Sequence, residues 1–352
     1  MRIFTCFEHK RPVDAKQLPV PAEIRDVDLA SGETIELPPL SVVLMRSLDY
    51  EQKQEIHSMK EMKLTKYPGN PILKPNPGNK WESLVVCNPG AWYEDGKFYM
   101  LYRAAGADEE HVIRLGLAES EDGFNFRRVS DRPVFEPIRD NFDGGGVEDP
   151  RIVKFDDSYY VTYAFRPYPP GQYWKFSHDV VKVPKNTGEN APMYIRLNLG
   201  GTALASTRDF RTWKRFGRIT CPCLDDRDVI LFPEKINGKF VLMHRPKQYV
   251  GGTFGVKYPS IWLKFSDDIL CWEDKESHLL LAGRENTWEE KLGGSAPPLK
   301  TDKGWLMLYH GVEDEGLGYY RVGCLLLDLE NPLHILGKTP DYILEPEFDY
   351  EI

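Results

Sequence analysis

No stretch of this sequence approaches 18 consecutive apolar residues, so no membrane-spanning helix is expected. The first ten residues lack the apolar core of a secretory signal, which points to a cytoplasmic protein. Cysteine is sparse, and its six copies (Cys6, Cys87, Cys221, Cys223, Cys271, Cys324) are scattered. Cys221-Pro222-Cys223 has neither the spacing of a zinc or redox site nor a histidine pair beside it. Reduced thiols, no metal and no cofactor are therefore expected. Positive charge is also short: 45 Lys and Arg against 54 Asp and Glu leave a formal charge of -9. That balance argues against nucleic acid and anionic membranes as partners, and any anion must be held by a local basic cluster. Beyond residue 65 no stretch longer than one or two turns has helical periodicity.

What is present is a recurring strand pattern. Acidic or Asn turn residues, usually with Gly, lead into alternating aromatic and aliphatic residues. The pattern occurs at Glu94-Asp95-Gly96-Lys97-Phe98-Tyr99, Asp156-Asp157-Ser158-Tyr159-Tyr160, Asn237-Gly238-Lys239-Phe240 and Asp302-Lys303-Gly304-Trp305. Asp-Gly or Asn-Gly before period-two alternation is a hairpin signal. Between these lie Ser/Asp turns followed by an aromatic, at 118–126, 205–213 and 265–272. Repeats of this length suit four-stranded blades, so the fold is expected to be an all-β propeller. The four hairpins are followed by no fifth, which leaves the last blade incomplete or continued past Ile352. Residues 1–58 differ from the rest and read as an extension, with a strand region over 33–46 and a charged helical stretch over 49–63. No chemistry is assigned to that extension, and residues 59–352 form the propeller domain.

Gly144-Gly145-Gly146-Val147-Glu148-Asp149-Pro150-Arg151 is the stretch where chemistry is most readable. Its glycines let the backbone approach a ligand, and two acids and an arginine follow at the mouth of a strand. The plain alternative is a turn whose acids cap amides and pair with the arginine. Arg103, Arg166, His244, Arg245 and His310 close the aromatic strands; taken singly they read as surface ion pairs. Converging from several blades they make a pocket for an oxyanion, because arginine offers a fork of donors. An acid facing such a cluster suggests glycosyl or phosphoryl transfer. Trp81-Glu82-Ser83, Asn88-Pro89-Gly90 and the glycine-paired loop from Trp288 to Pro298 offer groups for a sugar. Most tryptophans, however, are core packing. The Pro- and Tyr-rich run from Arg166 to Pro192 reads as a long loop, hence a lid or an oligomer contact.

Together these motifs resemble glycoside hydrolase family 130, the mannoside phosphorylases and related mannosidases. The matching pieces are Asn70-Pro71-Ile72-Leu73, Asn88-Pro89-Gly90-Ala91, Tyr102-Arg103-Ala104, Glu148-Asp149-Pro150-Arg151 and Leu231-Phe232-Pro233-Glu234-Lys235. They continue with His244-Arg245-Pro246, Ser295-Ala296-Pro297-Pro298 and Tyr309-His310-Gly311-Val312, and span about 64–350. The resemblance implies a five-bladed propeller with its last blade incomplete here. It also implies inverting phosphorolysis of a β-mannoside to α-mannose 1-phosphate, with inorganic phosphate as co-substrate. Asp149 would be the single acid, protonating the glycosidic oxygen through the 3-hydroxyl of the mannose. Phosphate would be held by Arg103, Arg151, Arg166, Arg227 and His244, with Arg227 standing where many phosphorylases have lysine. The mannose would meet Asn88, Glu148, His310 and Glu313 or Asp314. An inverting β-mannosidase is the alternative; it needs a second carboxylate about 6.5–9.5 Å away to activate water, such as Glu148, Glu234 or Glu289. An inactive sugar-binding propeller is the third reading. Linkage and acceptor are left open, and a homo-oligomer is allowed.

Overall fold

Two-residue turns built on left-handed residues start the hairpins that the sequence foretells. Asp95 and Gly96 (φ 50° and 76°) and Asn237 and Gly238 (φ 51° and 79°) are type I′ pairs, and Asp156 (φ 51°) opens the second hairpin. The computed structural model describes residues 63–172, 191, 193–313 and 318–351. It also describes the backbone of four short strands: β1 (Arg2–Thr5), β2 (Glu23–Asp26), β3 (Ser41–Leu44) and β4 (His57–Ser58). The first three of these form a sheet ordered β2-β1-β3, so a strand does lie within the 33–46 region. Most of the helical stretch expected over 49–63 is outside the described residues; His57–Ser58 within it is strand.

Four sheets follow. The first contains β5 (Val85–Glu94), β6 (Lys97–Ala105), β7 (Arg114–Ser120) and β8 (Arg127–Arg128). The second contains β9 (Gly146–Phe155), β10 (Ser158–Arg166), β11 (Gly201–Thr207) and β12 (Lys214–Arg218). The third contains β13 (Asp226–Leu231), β14 (Phe240–Pro246), β15 (Ile261–Ser266) and β16 (His278–Leu281). The fourth contains β17 (Lys291–Gly294), β18 (Leu299–Thr301), β19 (Gly304–Val312), β20 (Arg321–Leu327) and β21 (Ile335–Lys338), with β4 added in parallel to β21. Each is an up-and-down meander, and the innermost strand of one sheet touches that of the next. The all-β propeller is therefore as expected, with four blades formed by the described residues. The fifth, expected incomplete, is not seen there as a separate sheet. Lys63–Glu82 crosses between the outward faces of the fourth and first blades. Leu64 N–H donates to Ile343 O at 2.8 Å at one end, and Arg128 Nη2 holds Lys74 O at the other.

The hydrophobic core lies between blades. Leu101, Leu117, Ile152 and Val161 join the first and second; Val153, Leu204, Val229, Leu242 and Trp272 the second and third. Ile230, Met243, Leu263, Trp305, Met307 and Leu325 join the third and fourth. Alternate strand residues supply these contacts because successive side chains leave opposite faces of a sheet. The Ser/Asp turns recur with one function: Asp122, Asp209 and Asp268 accept backbone N–H groups two or three residues on. A fourth copy, Asp328, does the same for Glu330 and Asn331. Within each blade a buried acid also pins the second strand. Glu82 meets Tyr102, Asp143 meets Tyr163 and Glu289 meets Tyr309, each 20 residues apart, while Asp226 meets His244 at a separation of 18.

Those pins are costly to break. Glu289 is 1% exposed, and Tyr309→Phe removes one hydrogen bond to this buried carboxylate while Lys338 and Arg284 still pair with it. The variant is expected to lose about 1.5–3 kcal/mol of stability, read as a lower urea midpoint at unchanged m.

Candidate active site

The inner strands of the first three blades share one irregularity. On β5, Asn88 and Pro89 together oppose Tyr102; on β9, Asp149 and Pro150 oppose Tyr163; on β13, Asp228 and Val229 oppose His244. These are β-bulges, which re-aim a side chain out of the strand's alternation. Asn88, Asp149 and Asp228 take the left-handed conformation, with φ of 44°, 51° and 58°. Asn and Asp are the non-glycine residues that tolerate this region best. All three side chains consequently enter one cavity.

That cavity has a volume of about 490 Å³, and every blade contributes to its wall. Asn88 and Arg103 come from the first blade, and Glu148, Asp149, Arg151 and Arg166 from the second. Arg227, Asp228, Arg245 and Lys247 belong to the third; Lys291, Ser295, His310 and Tyr320 to the fourth. Seven Arg and Lys side chains thus face three carboxylates, in a chain whose formal charge is -9. The basic cluster required by composition is here, at the centre of the ring.

Arg103 ties the two acids of β9 together. Its Nη1 lies 2.9 Å from Asp149 Oδ1 and 3.0 Å from Glu148 Oε2, while Asn88 Nδ2 donates to the same Asp149 Oδ1 at 3.0 Å. Both of these bonds fall on Oδ1, so Oδ2 is the oxygen placed to carry a transferable proton. Arg166 Nε donates to Glu148 Oε1 at 2.7 Å. Burial alone would push Glu148 up, but Arg103, Arg166 and Arg227 outweigh it and hold the carboxyl at about 2. Glu148 is therefore a fixed carboxylate, and all three of these cations also face the cavity.

On the opposite wall, Asp225 grips Arg227 with both oxygens, at 2.8 and 3.1 Å, and Lys247 at 3.0 Å. Asp228 bonds Arg245 and lies 3.5 Å from His310 Nε2. Burial opposes its charge, yet Arg245 and His310 hold it well below the ordinary carboxylate range. Two buried guanidinium donors of Arg245, Nε and Nη1, and Nε of Arg151 have no hydrogen-bond partner. Unmatched donors of this kind suit a ligand rich in acceptor oxygens. Gly293 on β17 makes room for this group: a Cβ there would lie 2.5 Å from both Asp228 Oδ2 and His310 Nε2.

Lys247 has a titration within the working range. Burial and the neighbouring Arg227 lower it to about 8, against the opposing pull of Asp225. Its positive charge is present below that pH and lost above it. Phosphate KM is accordingly expected to rise as pH passes about 8, and Lys247→Arg, which stays charged, should flatten the rise. Initial rates over a phosphate series at each pH check this.

Most of the expected site residues are brought together: Asn88, Arg103, Glu148, Asp149, Arg151, Arg166, Arg227 and His310 all line the cavity. Three are not. His244 occupies the buried place that tyrosine holds in the other blades, with Nδ1 2.9 Å from Asp226 Oδ2 and Nε2 3.1 Å from Ser277 Oγ. Burial lowers its pKa, so it is a neutral structural residue, and Arg245, one residue on, faces the cavity instead. Glu313 pairs with Arg321 at 3.0 Å outside the wall, and Asp314 lies outside the described residues. The glycine run also differs from expectation. A Cβ at Gly145 would sit 2.0 Å from the Tyr168 carbonyl carbon, so its close approach is to the chain's own backbone. Trp81 stacks on Tyr102 and Trp288 on Tyr309, which makes both packing residues, and Lys291–Gly294 is strand rather than loop. Most of the long loop expected to Pro192 falls outside the described residues.

Asp228, Lys247 and Tyr320 were not singled out from the sequence as site residues, Lys291 and Ser295 only as part of the run from Trp288 to Pro298, and Arg245 as one of the strand-end residues converging on an oxyanion pocket. Asp228 had a signal: it follows the same aromatic-strand logic as Asn88 and Asp149, but no proline marks its bulge.

Three comparisons bear on this arrangement. A family model described as β-1,4-mannooligosaccharide phosphorylase, glycoside hydrolase family 130, matches residues 51–186 and 194–352. A 1,2-β-oligomannan phosphorylase of Thermoanaerobacter sp. (strain X514) is 36% identical over 298 residues, covering 82% of this chain and 85% of its own. A β-1,2-mannobiose phosphorylase of the same organism is 34% identical, with the same coverage of 82% and 85%. The solved structure of the Listeria innocua β-1,2-mannobiose phosphorylase with β-1,2-mannobiose superposes at a TM-score of 0.59 and 25% identity. It covers 81% of this chain and 85% of that one.

Proposed function

Because the chain belongs to glycoside hydrolase family 130 and is a β-mannoside phosphorylase, we propose that its substrate is a β-1,2-linked mannoside. The β-1,2 linkage is the finer part of the reading. It is supported by the names of the relatives at 36% and 34% identity, each covering more than four fifths of both chains.

One observation carries the mechanism: an acid oxygen with no hydrogen-bond donor on it, Oδ2 of Asp149, shares the cavity with cations drawn from every blade. Asp149 protonates the departing glycosidic oxygen, and a phosphate oxygen attacks the anomeric carbon from the opposite side, giving the α ester. The proton given up by Asp149 is balanced by the one that hydrogen phosphate loses on becoming that ester. Phosphate needs holding and orienting rather than a base, and Arg151, Arg227, Arg245 and Lys247 supply that hold. The carboxylates offered for a hydrolytic base fit poorly. Glu148 is neutralised by two arginines, Glu234 pairs with Lys300 on the surface, and Glu289 is buried against Lys338 and Arg284. Cytoplasmic location belongs to the same proposal, supported by the scattered cysteines.

The test is incubation with β-1,2- and β-1,4-mannobiose, with and without phosphate. Mannose 1-phosphate formed only with phosphate, and faster from the β-1,2 isomer, is the expected result. Free mannose without phosphate would overturn the phosphorolytic reading, and a preference for the β-1,4 isomer would overturn the linkage.

A further inference from the structure

The cavity wall is almost wholly charged or polar, and among its lining residues one carries a hydrocarbon ring large enough to cover a sugar face: Tyr320. Tyr320 immediately precedes β20, and it stands at the rim, 53% exposed. Its ring centroid lies 5.3 Å from that of His310 on β19, tilted by 54°, and Lys291 Nζ lies 5.9 Å from the ring centre. Burial and the nearby Asp228 raise the pKa of its hydroxyl, with Arg245 and Arg227 opposing. An aromatic ring half exposed at the rim of a polar cavity is well suited to the apolar face of a hexose.

Resting on the function proposed above, we infer that Tyr320 is the platform for the leaving sugar, a specificity-determining residue on the acceptor side of Asp149. The cavity divides the labour between its depth and its rim. The transferred mannosyl unit and the phosphate sit among donors and carboxylates that can hold hydroxyls and oxyanions. The second sugar of the substrate must lie towards the opening, where Tyr320 is the ring on offer. His310 packs against its ring.

The reverse reaction isolates this role, since acceptor and donor bind as separate molecules. With α-mannose 1-phosphate as donor and free mannose as acceptor, Tyr320→Ala is expected to raise the acceptor KM about tenfold. The donor KM should stay within about twofold, and Tyr320→Phe should restore the acceptor KM to within about threefold of wild type. Melting temperatures of the three proteins should agree, because the ring is half exposed. An acceptor KM unchanged in the alanine variant, or a donor KM rising by the same factor, overturns the inference while leaving the phosphorylase reading standing. A wild type with no phosphate-dependent turnover overturns both.

Discussion

Asp149→Asn is expected to lower kcat for phosphorolysis by about 10²–10⁴-fold, the usual contribution of a positioned general acid. The substitution is close to isosteric, and Asn tolerates the φ of 51° that the bulge imposes. Asn88 Nδ2 and Arg103 Nη1 both donate to Oδ1, which an amide oxygen can still supply. Only the proton on Oδ2 disappears, replaced by an amide that cannot give it up. The melting temperature should therefore hold while turnover collapses. A β-mannoside with a nitrophenol leaving group, which departs without protonation, should lose far less rate than mannobiose. Equal losses with both substrates would remove Asp149 from the acid role.

Arg103→Met is expected to damage both stability and activity. Arg103 touches both Glu148 and Asp149, and Glu148 is only 2% exposed. Removing one partner of a buried ion pair costs about 3–5 kcal/mol, because the charge left behind is uncompensated. Arg166 still pairs with Glu148, so the lower end of that range applies. The pH dependence carries the sign. In wild type the folded Glu148 titrates at about 2, below its unfolded value, so its stabilisation is complete above that unfolded value and fades as pH falls towards 2. Without Arg103 the folded pKa rises, and acid destabilisation should set in at higher pH. Urea midpoints taken across the acid range would show this as a displaced limb. A midpoint equal to wild type at neutral pH would mean that Arg166 alone balances Glu148.

The hairpins were legible because their information is local: a left-handed pair such as Asn237-Gly238 has few other uses than to turn a strand. Glu148, Asp149 and Arg151 were legible for a similar reason, being neighbours in one octapeptide. Side-chain direction was harder to read. His244 and Arg245 are adjacent at a strand end, and residue types alone favour either as an anion ligand. The pleat sends one into the blade and the other into the cavity, and only the register of β13 with β14 decides which. Asp228, Lys247 and Lys291 depend on how blades are arranged around the ring, which no short window contains. The 20-residue interval between the buried acid and its tyrosine in the other three blades was present in the sequence. Its meaning depends on knowing that the acid is buried.

The bulges on β5, β9 and β13 place Asn88, Asp149 and Asp228 in equivalent sockets. Asn and Asp both accept the left-handed backbone found there, so a socket's occupant can change from amide to carboxylate without disturbing the strand around it. The scaffold and the reagent are in that sense separable. An engineer wishing to bring a further acid to the centre of this ring would begin at Asn88, where the backbone is already shaped to hold it.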